Sequence, residues 1–175
     1  MKQIATTLDG VLLIEPRIFK DSRGHLYESF SKRKYEALGI MDDFVQDNHS
    51  YSRKNVLRGL HFQIDKPQAK LVRVVRGEVF DVAVDIRKDS PNFGKWFGAR
   101  ISAENQLQMY IPKDFAHGFC VLSEEAEFLY KCSDYYSPGG EGGIVWNDPE
   151  IGIDWPIENP VLSEKDLEFP LLKDL

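Results

Sequence analysis

The sequence is short of cysteine, of positive charge and of long apolar runs, and each shortage removes a class of protein. Cys120 and Cys132 are the only cysteines and are not in CxxC spacing, so a disulfide framework and an all-cysteine zinc site are both excluded. Lys and Arg number 22 against 28 Asp and Glu, a net charge of −6, whereas nucleic-acid binders carry a basic domain or stripe. No apolar run nears the roughly 18 residues that span a bilayer. The opening MKQIATTLDG lacks the apolar stretch of a secretory signal. Neither the dinucleotide-binding glycines nor a His-x-His pair is present. What is there is a 42% hydrophobic, 12% aromatic chain, too apolar for disorder. Its 175 residues suit one domain, read here as 1–175. The expectation is a cytoplasmic protein with no nucleic-acid or membrane partner.

The patterning is that of strands. Lys70–Arg76 (KLVRVVR) is rich in Val and stops at Gly77, and Val79–Ile86 (VFDVAVDI) alternates strictly. That alternation sets Phe80, Val82, Val84 and Ile86 on one face and Val79, Asp81, Ala83 and Asp85 on the other, so one of the two aspartates is a candidate for a buried network. Further strands are expected at 99–102, 106–111, 118–122, 127–133 and 143–146, with Gly and Pro between them. Helical signals are few. Ser31–Leu38 sets Tyr35 and Leu38 on one side before a stop at Gly39, and Ser163 opens a second helix as a capping box with Asp166. Short strands joined without long helices predict an all-β sandwich or barrel, best a jelly roll, whose mouth suits a small ligand.

Polar residues gather in three clusters: QDNHS (46–50) with LRGLHFQ (57–63), Gln68 and Lys70; His117 with its neighbours; and YKCSDYY (130–136). Taken singly, most have an ordinary structural explanation. His61 between Leu60 and Phe62 fits a half-buried imidazole bonded to a carbonyl, Tyr130 a core phenol, and Asp166 the third position of its capping box. Arg23 and Arg58 fit solvated surface charges. Both adjoin glycine, however, where a ligand can approach the backbone, and the guanidinium fork suits phosphate oxygens. Tyr135 and Tyr136 could stack on a base or sugar ring.

The order of these clusters is more telling than any one of them. DSRG (21–24), QDNHS (46–50), LRGLHF (57–62), QAKL (68–71), EVFDVAVDIR (78–87) and PKDFAHGF (112–119) follow one another; Tyr130, Tyr135-Tyr136, WNDP (146–149) and LSEKD (162–166) complete the series. In this the chain closely resembles the dTDP-4-dehydrorhamnose 3,5-epimerase family, with no departure at a motif position. The resemblance implies a metal-free, cofactor-free jelly roll of the cupin type, usually a homodimer. It implies as substrate dTDP-4-dehydro-6-deoxy-glucose, epimerised at C3 and C5. Carried over motif by motif, His61 would be the base, Asp166 its orienting carboxylate, Tyr130 the acid and Lys70 the support of the enolate oxygen. Arg23, Glu28, Gln46, Asp47, Asn48, Arg58, His117, Glu141 and Lys165 would contact the nucleotide-sugar, and Tyr136 would stack on thymine.

Those residue types suit the chemistry. C3 and C5 both flank the C4 ketone, so one enolate-stabilising site can serve both inversions. A neutral His takes a carbon-bound proton, a carboxylate on its other nitrogen stabilises the imidazolium, and a phenol returns a proton from the other face. Three alternatives stand beside this reading. They are a single-centre epimerase or keto-sugar isomerase on the same scaffold, a non-catalytic sugar-binding jelly roll, and a metal-dependent cupin. For dimerisation, GVLLI (10–14) is a candidate strand crossing to a partner, with pairing inside its own chain as the ordinary alternative.

Overall fold

A computed structural model describes residues 1–175. The chain opens with β1 (Lys2–Ile4) and β2 (Leu12–Glu15), then a hairpin of β3 (Phe19–Asp21) and β4 (Gly24–Leu26), then helix α1 (Lys32–Glu36). Four longer strands follow: β5 (Gln46–Arg53), β6 (Leu57–Gln63), β7 (Lys70–Arg76) and β8 (Glu78–Asp85). The rest is β9 (Trp96–Ser102), β10 (Gln108–Ile111), β11 (Phe115–Val121), β12 (Glu125–Cys132), β13 (Glu141–Gly143) and α2 (Glu164–Glu168). From β5 to β8 successive strands alternate between two facing sheets, ordered β1-β2-β10-β7-β12-β5 and β13-β6-β11-β8-β9, with every pairing antiparallel. This is the expected all-β jelly roll with only two short helices.

The alternation seen in the sequence decides which residues meet. Val72, Val74, Phe128, Met109 and Leu13 from one sheet pack against Val79, Ala83, Phe115, Phe119 and Val121 from the other in a 15-residue core. At roughly 1.5–3 kcal/mol per fully buried large apolar side chain, this layer dominates the stability. The other face of the five-stranded sheet carries Leu57, Leu60, Val82, Val84 and Cys120, covered by Ile144, Ile151, Trp155 and Leu172 of the C-terminal segment. Asp148 of the WNDP motif pins that cover, its carboxylate accepting from the backbone N–H of Glu150, Ile151 and Leu172 at 2.8, 3.0 and 2.7 Å. The outer face of the six-stranded sheet is partly roofed by Tyr35 and Ile40 around α1, packed on Ile14 and Leu71. Gly39 follows α1 at φ +89°, the left-handed turn that ends a helix.

The strand expected near 143 changes most, and the open choice for GVLLI falls to pairing inside its own chain. The strand expected at 143–146 is β13 (Glu141–Gly143), continued past its end only by the reciprocal Ile144–Leu60 backbone pair. GVLLI (10–14) pairs within its own chain, β2 lying between β1 and β10.

Candidate active site

At one end the interior turns from apolar to polar, and there the two sheets bound a cavity of about 310 Å³. Its walls are Gln46 and Asn48 from β5, His61, Phe62 and Gln63 from β6, Lys70 from β7 and Tyr130 from β12; Gln68, Tyr136 and Glu141 complete the rim. The pleat explains the gathering. Lys70 continues the inward face of Val72 and Val74, and Tyr130 and Cys132 that of Phe128, so the face that fills the core becomes the cavity wall.

His61 is the best-held group. Its Nε2 lies 2.6 Å from Asp166 Oδ1, with the imidazole side chain 31% and the carboxylate 5% exposed. The capping box is half made: Ser163 Oγ accepts from the Asp166 backbone N–H at 3.2 Å, while the Asp166 side chain turns to His61 instead of back to the cap. Burial works to raise the Asp166 pKa, but the hydrogen bond and charge of His61 outweigh it and leave the carboxyl below its ordinary value. With Nε2–H donated to Asp166, Nδ1 keeps its lone pair. Phe169, just beyond α2, sets its ring edge-on to His61 at 5.6 Å and lies against Gly143.

Tyr130 comes from the opposite sheet. Burial raises its pKa, with Cys132 adding to the effect and Asn48 and Arg58 opposing it. Lys70 is pulled down by burial and pushed back up by Cys132, Asp81 and Glu141. Glu141 is shared between the Tyr136 hydroxyl, at 2.6 Å, and the Lys165 ammonium. Arg58, exposed, donates from Nε to Ser52 at 3.1 Å. His117 lies behind His61 as its cross-strand partner, almost sealed, with Nε2 2.7 Å from Asp81 Oδ1.

Six expected contacts are not among the residues lining this cavity: Arg58, His117 and Lys165, placed above, and Asp47, Arg23 and Glu28. Asp47 points to the outer face of the six-stranded sheet, where it holds Lys131 at 2.8 Å beside a second depression of about 330 Å³. Arg23 sits on the exposed β3–β4 hairpin, 88% exposed, with Asp21 as its partner. Glu28 pairs with Lys34. Neither Arg23 nor Glu28 borders the His61 cavity. Sequence reasoning gave Phe62 and Gln63 no role, though both stood in the first polar cluster, and it missed Phe169 beside His61. Gln68 stood in the first polar cluster, but nothing in the spacing announced Phe169.

The arrangement brings an imidazole hydrogen-bonded to a buried carboxylate, a phenol and an ammonium from facing sheets to a space for a small ligand. Known proteins resemble the chain over almost its whole length. Residues 5–174 match the family described as dTDP-4-dehydrorhamnose 3,5-epimerase. A protein of that name from Pseudomonas aeruginosa is 58% identical over 176 residues, covering 99% of this chain and 97% of its own. A crystal structure of a dTDP-6-deoxy-D-glucose-3,5-epimerase from Legionella pneumophila, in complex with dTDP-4-keto-L-rhamnose, superposes with a TM-score of 0.96 at 55% identity, covering 98% of this chain and 93% of that one. More distantly, a dTDP-4-dehydrorhamnose 3-epimerase from Streptomyces niveus is 40% identical over 170 residues, 95% of this chain and 82% of its own.

Proposed function

The chain belongs to the dTDP-4-dehydrorhamnose 3,5-epimerase family, and from that premise we propose that His61 and Tyr130 invert C3 and C5 of dTDP-4-dehydro-6-deoxy-D-glucose to give dTDP-4-dehydro-L-rhamnose. The observation that carries the residue assignment is that base and phenol stand on opposite sheets around one cavity. A sugar ring lying between the sheets presents one face to each. His61 takes the proton from the carbon beside the C4 ketone, and Asp166 stabilises the imidazolium that forms. The electrons move onto the C4 oxygen, where Lys70 supplies a fixed cation; a preorganised donor of this kind contributes about 3–4 kcal/mol. Tyr130 returns a proton to the opposite face, inverting the centre; proton exchange with solvent restores the neutral imidazole and the phenol, and a second cycle at the other carbon uses the same enolate support. Gln46, Asn48, Arg58 and Lys165 hold the nucleotide-sugar, and Tyr136, 51% exposed at the rim, stacks on thymine.

Incubation with the 4-keto sugar in deuterium oxide tests the reading: label enters at both C3 and C5, and label at C3 alone would assign a single-centre epimerase. That second reading is supported by the 3-epimerase name of the Streptomyces niveus relative.

A homodimer belongs to the same proposal. Arg23 and Glu28 are expected to contact substrate, yet stand away from their own chain's cavity on and beside a hairpin whose Phe19 and Leu26 are 52% and 74% exposed. A second copy placing that hairpin over the cavity mouth would satisfy both facts. No helix of the chain is long and apolar enough to cross a membrane; a cytoplasmic location is part of the proposal, and both cysteines are free.

A further inference from the structure

Tyr136 stands on a segment that neither sheet holds. Residues 133–137 run from the end of β12 in the six-stranded sheet toward β13 in the five-stranded one, and residues 134–136 make no backbone–backbone hydrogen bond. Three glutamine side chains take over. Gln46, the first residue of β5, accepts from the Tyr136 backbone N–H through Oε1 at 3.0 Å. Gln63, buried at the end of β6, accepts from the Ser137 N–H through Oε1 at 2.9 Å. Gln68, just before β7, donates from Nε2 to the Asp134 carbonyl at 2.8 Å. The Gln46 amide is itself oriented, because its Nε2 donates to Asn48 Oδ1 at 3.1 Å. Ser137 adds a bond from Oγ to Asp65 Oδ2 at 2.7 Å.

The three glutamines come from both sheets and the loop between them, and all of them line the His61 cavity. Each directs one polar atom at the backbone of this segment. Backbone groups outside a ladder need such partners, and partners fixed on strands give them one geometry where water would give many. Tyr136 is held at its far end as well, its hydroxyl donating to Glu141 Oε2 at 2.6 Å. A half-exposed ring fastened at both ends keeps its orientation before a ligand arrives, which lowers the ordering cost of binding. We propose that Gln46, Gln63 and Gln68 are positioning residues that hold the Tyr136 ring as a ready stacking surface for the base of the nucleotide, acting through the backbone of residues 134–137. The inference rests on the reading of Tyr136 as that surface. It gives Gln63 and Gln68, to which the motif series assigned no role, a task in base recognition.

The test is a mutant cycle read by calorimetry with thymidine diphosphate and by steady-state kinetics with the 4-keto sugar. Methionine matches glutamine in length and lacks its amide. Gln63→Met leaves the Ser137 N–H without its acceptor and Gln68→Met leaves the Asp134 carbonyl without its donor, so Kd and KM should each rise roughly threefold or more. Turnover at saturation should hold, because His61, Lys70 and Tyr130 are untouched. Tyr136→Leu removes the ring and should raise Kd roughly fivefold or more. In that background the two methionine substitutions should weaken binding no further, since the ring they act through is gone. Either position carries the cycle alone if the other variant does not fold. A parent-like Kd in Gln63→Met or in Gln68→Met overturns the inference, and so does a full additional loss in the Tyr136→Leu background, which would assign the glutamines to direct ligand contact or to the fold at large. Failure of the underlying reading shows separately, as unchanged thymidine diphosphate affinity in Tyr136→Leu alone.

Discussion

At the scale of single residues, the proposed mechanism divides labour between His61, which breaks the C–H bond, and Tyr130, which decides which face is rebuilt, and the two should separate by mutation. His61→Ala removes the base and is expected to lower kcat about 10²–10⁴-fold, the usual contribution of such a group. Affinity for thymidine diphosphate, measured by calorimetry, should change little, because the nucleotide contacts lie elsewhere. Tyr130→Phe leaves the base in place. Solvent deuterium should still enter at C3, returned by His61 to the face it left, while inversion is lost; unchanged product formation by this variant would remove Tyr130 from the acid role. Asp166 adds a prediction about stability. Its pKa is depressed in the fold, so its contribution is present above the unfolded carboxylate value, roughly 4, and fades as pH falls through the lower folded value. Asp166→Asn should therefore be less stable than the parent at pH 7 by urea unfolding, and the gap should narrow toward pH 3.

At the scale of elements, two glycines let β6 and β11 cross closely enough to bring His61 beside His117. Gly59 has φ +130°, and a Cβ there would lie 2.5 Å from the Gly118 backbone; one on Gly118 would lie 2.9 Å from the Arg58 carbonyl. The ladder shifts register at this point, between His117 and Phe119. Gly59→Ala is strained in both conformation and packing, and overpacking of this kind typically costs about 1–3 kcal/mol. Urea unfolding should show that loss together with reduced turnover, because the displaced strand carries the base. Much of this framework was legible in the sequence. β7 and β8 are legible because Val recurs along them: β7 packs Val72 and Val74 into the inter-sheet core, and β8 buries both faces, Val79 and Ala83 in that core and Val82 and Val84 under the C-terminal segment. β5 (QDNHSYSR) announces nothing by hydropathy, since its inward side chains line the cavity or meet polar groups and its outward ones face water. The strand near 143 starts earlier than apolar residues suggest because Gly142 and Gly143 carry no side chain, and that bareness lets the Phe62 and Phe169 rings lie over them. The place of Phe169 beside His61 depends on how the C-terminal segment folds back, which no local spacing encodes.

At the scale of the whole molecule, the motif series locates the chemistry while a single chain leaves part of its expected binding set unassembled. Arg23 has only Asp21 for company and sits on a hairpin whose three-residue strands are exposed throughout. A two-stranded hairpin is marginal by itself in water, and one that also exposes Phe19 and Leu26 is better explained by a surface that covers it. If that surface is the cavity mouth of a second copy, each site draws its base from one chain and Arg23 from the other. Arg23→Ala and His61→Ala homodimers would then both be impaired. A mixture of the two, unfolded and refolded together, would contain heterodimers with one site intact in both respects and one doubly defective. Activity should rise above the average of the separate variants, toward about one quarter of the parent, since half the dimers are mixed and each has one working site. Sedimentation should report a dimer throughout. If refolding yields mixed dimers with no gain in activity, Arg23 acts within its own chain or not at all.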